Sequence, residues 1–160
     1  MLINPNSPPH AADVVEVQSA AQSIGRQLVV LSADSSQAID SAFAMLVAQR
    51  VDALLVSGDP FLEGRHQQLV TLTTRHAIPT IFNFRESVVH EGLMSYGVNI
   101  SNNYRQLGTY AGRILKGESA AELPIMFPAI FDFAINLVTA RALGIEVPAT
   151  LLACADEVIE

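Results

Sequence analysis

Runs of aliphatic residues in this chain stop abruptly at small or polar residues, and each stop opens onto a helical pattern. Residues 54–61, LLVSGDPF, are the clearest case: a buried run ends in Ser-Gly-Asp, and a helix follows at Pro60. The alternation recurs along the chain. MLIN, QLVVLSA, DALLVSG, IPTIFNF and GLMSYGV read as buried strands. AADVVEVQSAAQSIG, SSQAIDSAFAMLVAQRV, PFLEGRHQQLVTLTTRHA, RESVVHE and NYRQLGTYAGRILKG read as the intervening helices. Val14, Val17, Ala21 and Ile24 lie on one helical face, as do Ile39, Phe43, Leu46 and Val47, while Gly25 and Gly117 serve as C-terminal stops.

Continuous apolar strands separated by amphipathic helices specify a parallel sheet with a helix layer on each face, because every crossover returns along the sheet. The expected fold is therefore α/β, a three-layer doubly wound, mainly parallel sheet. The tail departs from the pattern, with an aromatic-rich extended piece followed by a short helix over about residues 136–143. No change of composition marks a boundary, so residues 1–160 read as a single α/β domain.

In such sheets ligands sit outside the carboxyl ends of the strands. The residues placed there are Asn4 and Asn6; Ser32 and Asp34; Ser57, Gly58 and Asp59; Asn83, Arg85 and Glu86; and Ser95 and Tyr96, with Phe61 and Phe84 beside them. Short hydrogen-bonding groups, one cation, a few acids and aromatic surface suit a polar small molecule with an apolar part. Each has a plainer structural role as well. Asp59 before Pro60 is an ordinary helix cap. Arg85 opens a helix, where a cation opposes the dipole, and a salt bridge to Glu86, Asp59 or Glu91 would explain it. Phe84 and Tyr96 are core aromatics by default.

Composition narrows the classes further. A net charge of −7 with a single lysine, Lys116, argues against nucleic acid and anionic membrane as partners. No glycine-rich phosphate loop or G-x-S-x-G elbow occurs. His10, His66, His76 and His90 show no metal-binding spacing; His66 and His76 read as solvated, and no metal or other cofactor is expected. Cys154 reads as a buried small hydrophobe. A phospho-acceptor role for Asp59 would want acids at the first strand end, where Asn4 and Asn6 stand. An enzyme or phospho-receiver is therefore the weaker alternative.

The segments LINPNSP, IDSAFAMLVAQRVDALLVSGDPF, RHAIPTIFNFRESVVHEGLMSYGVNISNNYRQLGTYAGRILKGE and INLVTARALGIEVPATLLACADEVIE together resemble the C-terminal half of the ABC-transporter substrate-binding proteins of the TrpX-like type. That family has the type I periplasmic-binding-protein fold, in which two α/β lobes joined by crossover strands close over a small molecule. The resemblance implies a bacterial solute receptor that serves an ABC permease in the periplasm, with relatives thought to take aromatic amino acids. It implies that the loops matching SGDPF, FNFRE and MSYG face the inter-lobe cleft. There, Arg85 would meet a carboxylate, Asp59 or Glu86 an ammonium, and Phe61, Phe84 or Tyr96 the ligand side chain. Family members are about twice this length and open with an export signal and a complete first lobe. The chain is thus expected to be the second lobe plus crossover segments, with the first lobe and leader absent, and to be cytoplasmic if it is complete. The helix at residues 104–116 would ordinarily dock on the first lobe. Its face of Tyr104, Leu107, Ala111 and Leu115 should then be uncovered, which leads to the expectation of a homodimer or domain-swapped pair. A remnant lobe that self-associates without transporting anything is the alternative.

Overall fold

A computed structural model describes residues 1–8 and 10–160; Pro9, in the predicted first turn, and the side chain of His10 lie outside the described residues. The chain runs through β1 (Leu2–Ile3), α1 (His10–Ser23), β2 (Leu31–Ser32), α2 (Ser36–Ala48), β3 (Leu54–Leu55), α3 (Pro60–Glu63) and α4 (His66–Arg75). It continues through β4 (Thr80–Phe82), α5 (Arg85–Val89), β5 (Met94–Val98), α6 (Ile100–Leu115), β6 (Phe131–Asn136), α7 (Leu137–Ala142), α8 (Ala149–Leu152) and β7 (Glu157–Ile159).

β1 pairs with β2 in parallel, and β3, β4 and β5 form a second parallel run. A parallel bridge between Leu2 and Val56, with Ser57 N donating to Leu2 O at 3.0 Å, joins the two into the order β2-β1-β3-β4-β5-β6-β7. The strand order reverses between β1 and β3, as a doubly wound sheet requires. β6 runs antiparallel to β5, and β7 parallel to β6.

The core lies on the face that carries α2, α4 and α5. Ile39, Phe43 and Leu46 of α2 and Leu69 and Leu72 of α4 meet Leu54, Val56 and Phe82 from the sheet. Burying each such side chain contributes roughly 1.5–3 kcal/mol. Gln68 cross-links the two helices, donating from Nε2 to Ser36 O at 3.0 Å and to Asp40 Oδ1 at 2.9 Å. Ser35 caps α2 by accepting from Ala38 N, and Gly25 and Gly117 turn the chain out of α1 and α6 at φ +67° and +100°.

Several expectations need correction. The helix expected after Pro60 is two helices, broken at Gly64 and Arg65, because the capped first turn and the second helix each bury their own leucines, Leu62 and Leu69. In QLVVLSA only Leu31 and Ser32 join the ladder. Ile24 lies beyond the end of α1 and is exposed, as is Cys154. His66 is half-buried, its ring centroid 4.9 Å from that of His90.

The α/β class and the mainly parallel sheet are as expected, and the two faces of the sheet are covered to different extents. The second face of the sheet is only partly covered: Leu55, Ile81, Met94 and Phe133 are half-buried and Tyr96 is exposed. α6, the helix that follows β5, has no buried residue, so it does not seal this face. Its Tyr104, Leu107, Ala111 and Leu115 are all exposed, in line with the expectation for that helix.

Candidate functional site

The carboxyl ends of the parallel strands meet at the reversal point. Asp59 ends the β3 segment in extended conformation (φ −140°, ψ 135°), and Pro60 follows at the first helical position. Its Oδ1 accepts from Phe61 N at 2.9 Å and Leu62 N at 3.2 Å, which satisfies two orphan amides of α3. The same oxygen accepts from Asn4 Nδ2 at 3.0 Å, while Asn4 Oδ1 accepts from Asn6 N at 3.0 Å. Asn4 and Asp59 therefore tie the end of β1 to the end of β3. Asp59 is 4% exposed, and this buried bridge is what the Ser-Gly-Asp stop builds.

Glycines bring the next strand ends together. A Cβ at Gly58 would lie 2.2 Å from Asn83 Nδ2, and one at Gly97 would lie 1.8 Å from Asn83 O. Asn83 is thus wedged between the β3 and β5 ends, and only residues without a Cβ admit it.

Beside Asn83 opens a cleft of about 390 Å³, lined by Asn83–Glu86, Gly97–Ser101, Asp132–Ala134, Asp156 and Glu157. Arg85 lies in it, but its guanidinium is engaged. Nη2 donates to Glu157 Oε1 at 2.7 Å and Nε donates to Glu157 Oε2, so the partner is Glu157 rather than Glu86, Asp59 or Glu91. These hydrogen bonds hold the Arg85 pKa above its ordinary value. Burial opposes them, and the charges of Glu157, Glu86 and Asp132 act with them. Asn99, which caps α6 by accepting from Asn102 N at 2.6 Å, donates from Nδ2 to both carboxylate oxygens of Asp132 at 2.9 Å. Asp156 Oδ2 accepts from Phe133 N at 2.9 Å.

The sequence-derived candidates therefore divide. Asn83, Phe84, Arg85 and Glu86 line the cleft; Asn4, Ser57, Gly58 and Asp59 lie at the ends of β1 and β3 outside its lining, with Phe61 at the start of α3 under the Arg65 guanidinium. Ser95 is a correction. Its side chain is 1% exposed on the sheet face covered by α5, and its Oγ has no hydrogen-bond partner, so it does not reach the rim. Tyr96 alternates to the opposite face, where it is stacked on Phe131 at 5.7 Å and edge-on to Phe133 at 6.3 Å. It is 56% exposed and is not a core aromatic.

Reading the sequence missed Asn99, Asp132, Asp156 and Glu157. Asn99 carried a signal as a helix-capping asparagine. The three acids reach the cleft only because β6 folds back antiparallel, placing Asp132 opposite Gly97, and β7 then aligns beside it.

A second titratable group lies behind α5. His66 Nδ1–H donates to Glu63 O and His90 Nδ1–H to Glu86 O, each at 2.8 Å. Burial, followed by the charge of Glu86, raises the Glu63 pKa, and His66 opposes the shift. Among the described residues, no three His, Cys, Asp or Glu side chains are arranged to hold a metal ion, and no helix is long and apolar enough to cross a membrane.

Several solved structures share the fold, among them the following three. A conserved domain protein from Vibrio cholerae O1 biovar El Tor superimposes with a TM-score of 0.88 at 21% identity, over 98% of this chain and 53% of that one. An ABC domain from Streptococcus pneumoniae in complex with L-Trp gives 0.88 at 23% identity, over 99% of this chain and 55% of that one. A ligand-free, open substrate-binding protein with adhesive properties from Clostridium difficile gives 0.66 at 23% identity, over 99% and 53%. The chain thus spans about half the length of the proteins it matches, and at these identities the likeness establishes the fold alone. No curated protein matches the sequence significantly. The family model described as ABC transporter substrate binding protein matches residues 1–159, nearly the whole chain, and on that match this protein belongs to the ABC-transporter substrate-binding protein family.

Proposed function

We propose that residues 1–160 form the second lobe, with crossover segments, of a solute receptor for an ABC uptake transporter. In this reading it binds a small polar or amino-acid-like ligand at the carboxyl ends of β1, β3 and β4 and delivers it to a permease from the periplasm. The observation that carries the reading is the meeting of strand ends at the reversal of strand order, with a cleft of about 390 Å³ opening beside Asn83. Asn4, Ser57, Gly58, Asp59 and Phe61 supply the rim, and Asn83, Phe84, Arg85 and Glu86 the floor. Phe133 adds aromatic surface to the cleft, and Tyr96, edge-on to it, extends that surface beyond the lining. The L-Trp found with the Streptococcus pneumoniae protein supports an aromatic amino acid as the first ligand to try. These residues bind rather than catalyse: they are hydrogen-bonding, capping and aromatic groups with no nucleophile beside a base. Thermal-shift titration with the twenty amino acids tests the reading. A ligand specific for the folded form adds about 2.7 kcal/mol at a hundredfold excess over Kd. A flat response to all twenty, confirmed by calorimetry, would refute it.

A second reading, self-association without transport, is favoured by one specific observation. Leu107 and Leu115 of α6 are 61% and 87% exposed, and Ile125 and Phe127 in the following segment are 89% and 82% exposed. Exposed apolar surface of this kind is ordinarily covered by association. We expect a homodimer or domain-swapped pair whose partner covers this face. Sedimentation at micromolar concentration should give twice the chain mass, and Leu107→Asp should return it to the monomer; a monomeric wild-type chain refutes the pairing.

A further inference from the structure

Resting on the solute-binding reading above, we propose that this cleft engages its ligand through a positively charged group, an ammonium or guanidinium, and that Glu157 withholds Arg85 from anionic ligands. Among the described residues Arg85 is the one cation lining the cleft, against the four carboxylates of Glu86, Asp132, Asp156 and Glu157. Its fork already meets a carboxylate in the bidentate geometry that a ligand carboxylate would need. An incoming anion that takes the same side of the fork must displace Glu157, and one that docks on the remaining Nη1 and Nη2 donors meets a guanidinium whose charge that carboxylate already balances. Displacement leaves the Glu157 carboxylate unpaired beside three others, so the ligand gains one ion pair at the loss of an equivalent one.

Among the described residues the remaining acids have no cation of their own: Asp132 is held by the neutral amide of Asn99 and Asp156 by the backbone amide of Phe133, while Glu86 makes no side-chain ion pair or hydrogen bond. The concave surface therefore carries an excess of negative charge over a partly desolvated volume, where a field attracts cations most effectively. This reverses the role in which Arg85 receives the carboxylate of an amino acid. In a zwitterionic ligand the ammonium faces this lobe and the carboxylate points away from it.

The test uses the chain itself and two matched sets of probes: tryptamine, tryptophan and indole-3-propionate, and isopentylamine, leucine and 4-methylvalerate. Calorimetry at low ionic strength should find at least one amine binding at least about tenfold more tightly than its matched acid. Glu157→Gln, which leaves Arg85 unpaired, should raise affinity for the acids about tenfold and weaken the amines. An acid that binds the wild-type chain as tightly as its matched amine, and is lost in Arg85→Ala, overturns the inference while leaving solute binding intact. If none of the six binds, a ligand-free measurement decides the charge assignment. In that measurement cationic aminomethyl-PROXYL should relax the amides of residues 97–101 at least about threefold more than anionic carboxy-PROXYL. Equal or reversed relaxation overturns the inference.

Discussion

Replacing Gly97 by alanine places one methyl group against the middle of the site. The new Cβ would stand 1.8 Å from Asn83 O and 2.3 Å from Asn83 Oδ1, where ordinary contacts begin at 3.4 Å. The nearer obstacle is backbone at the end of β4, so rotating a side chain cannot relieve it. Either β5 pulls away from β4, or the segment leading into Arg85 shifts. Overpacking of well-filled sites costs about 1–3 kcal/mol, and a backbone obstacle puts this case near the upper end. For a domain of this size that is a fall in Tm of roughly 6–12 °C. Gly58→Ala meets only the Asn83 amide at 2.2 Å, a side-chain end that can swing aside, and should cost about 1 kcal/mol. Gly108→Ala, in α6 with nothing within 4 Å, should instead stabilise by roughly 0.5–1 kcal/mol. Thermal and urea unfolding followed by circular dichroism reads all three. A Gly97→Ala chain melting within about 2 °C of the wild type, or below Gly58→Ala in cost, would refute the wedge of Asn83 between the two strand ends.

Asp59→Ala removes the α3 cap and the partner of Asn4 together; denaturant midpoints should report a loss of about 1–2 kcal/mol, whereas Asp59→Asn should retain part of it. The Arg85–Glu157 pair is 45% and 36% exposed, so a double-mutant cycle should give a coupling below about 1 kcal/mol that shrinks with salt. The folded-state pKa of Glu63 is raised, chiefly by burial, so its contribution to stability is fully present below the ordinary glutamate value, about 4.3, and is lost as pH rises through the raised value. Glu63→Gln should therefore gain on the wild type as pH increases from about 4 to 7, and a stability difference that is constant with pH would contradict the assignment.

The local part of this architecture was legible in the sequence for a local reason. Strand-to-helix stops such as Ser-Gly-Asp-Pro, the glycine exits at Gly25 and Gly117, and the core face of Ile39, Phe43 and Leu46 depend on neighbours within a few residues, where backbone sterics and periodicity govern. Those signals also located Asn4, Asp59 and Asn83, because the carboxyl end of a parallel strand is identified once its helix is. The break at Gly64 was less visible, since a helix can run through a glycine at modest cost and only burial of both Leu62 and Leu69 decides against it.

What the sequence determined alone was the succession of elements, the parallel sense of the leading strands and the rim they share. The tertiary structure decided everything that depends on the direction of β6. By folding back antiparallel it sets Asp132 opposite Gly97 and brings Glu157 to Arg85, turning an apparent anion receptor into an occupied ion pair. It also places Ser95 under α5 and turns Tyr96 onto a face that α6 leaves open. The reason is physical: the alternation of side chains along a strand is local, whereas which face is covered and which charge meets which are set by contacts between residues as distant as Arg85 and Glu157.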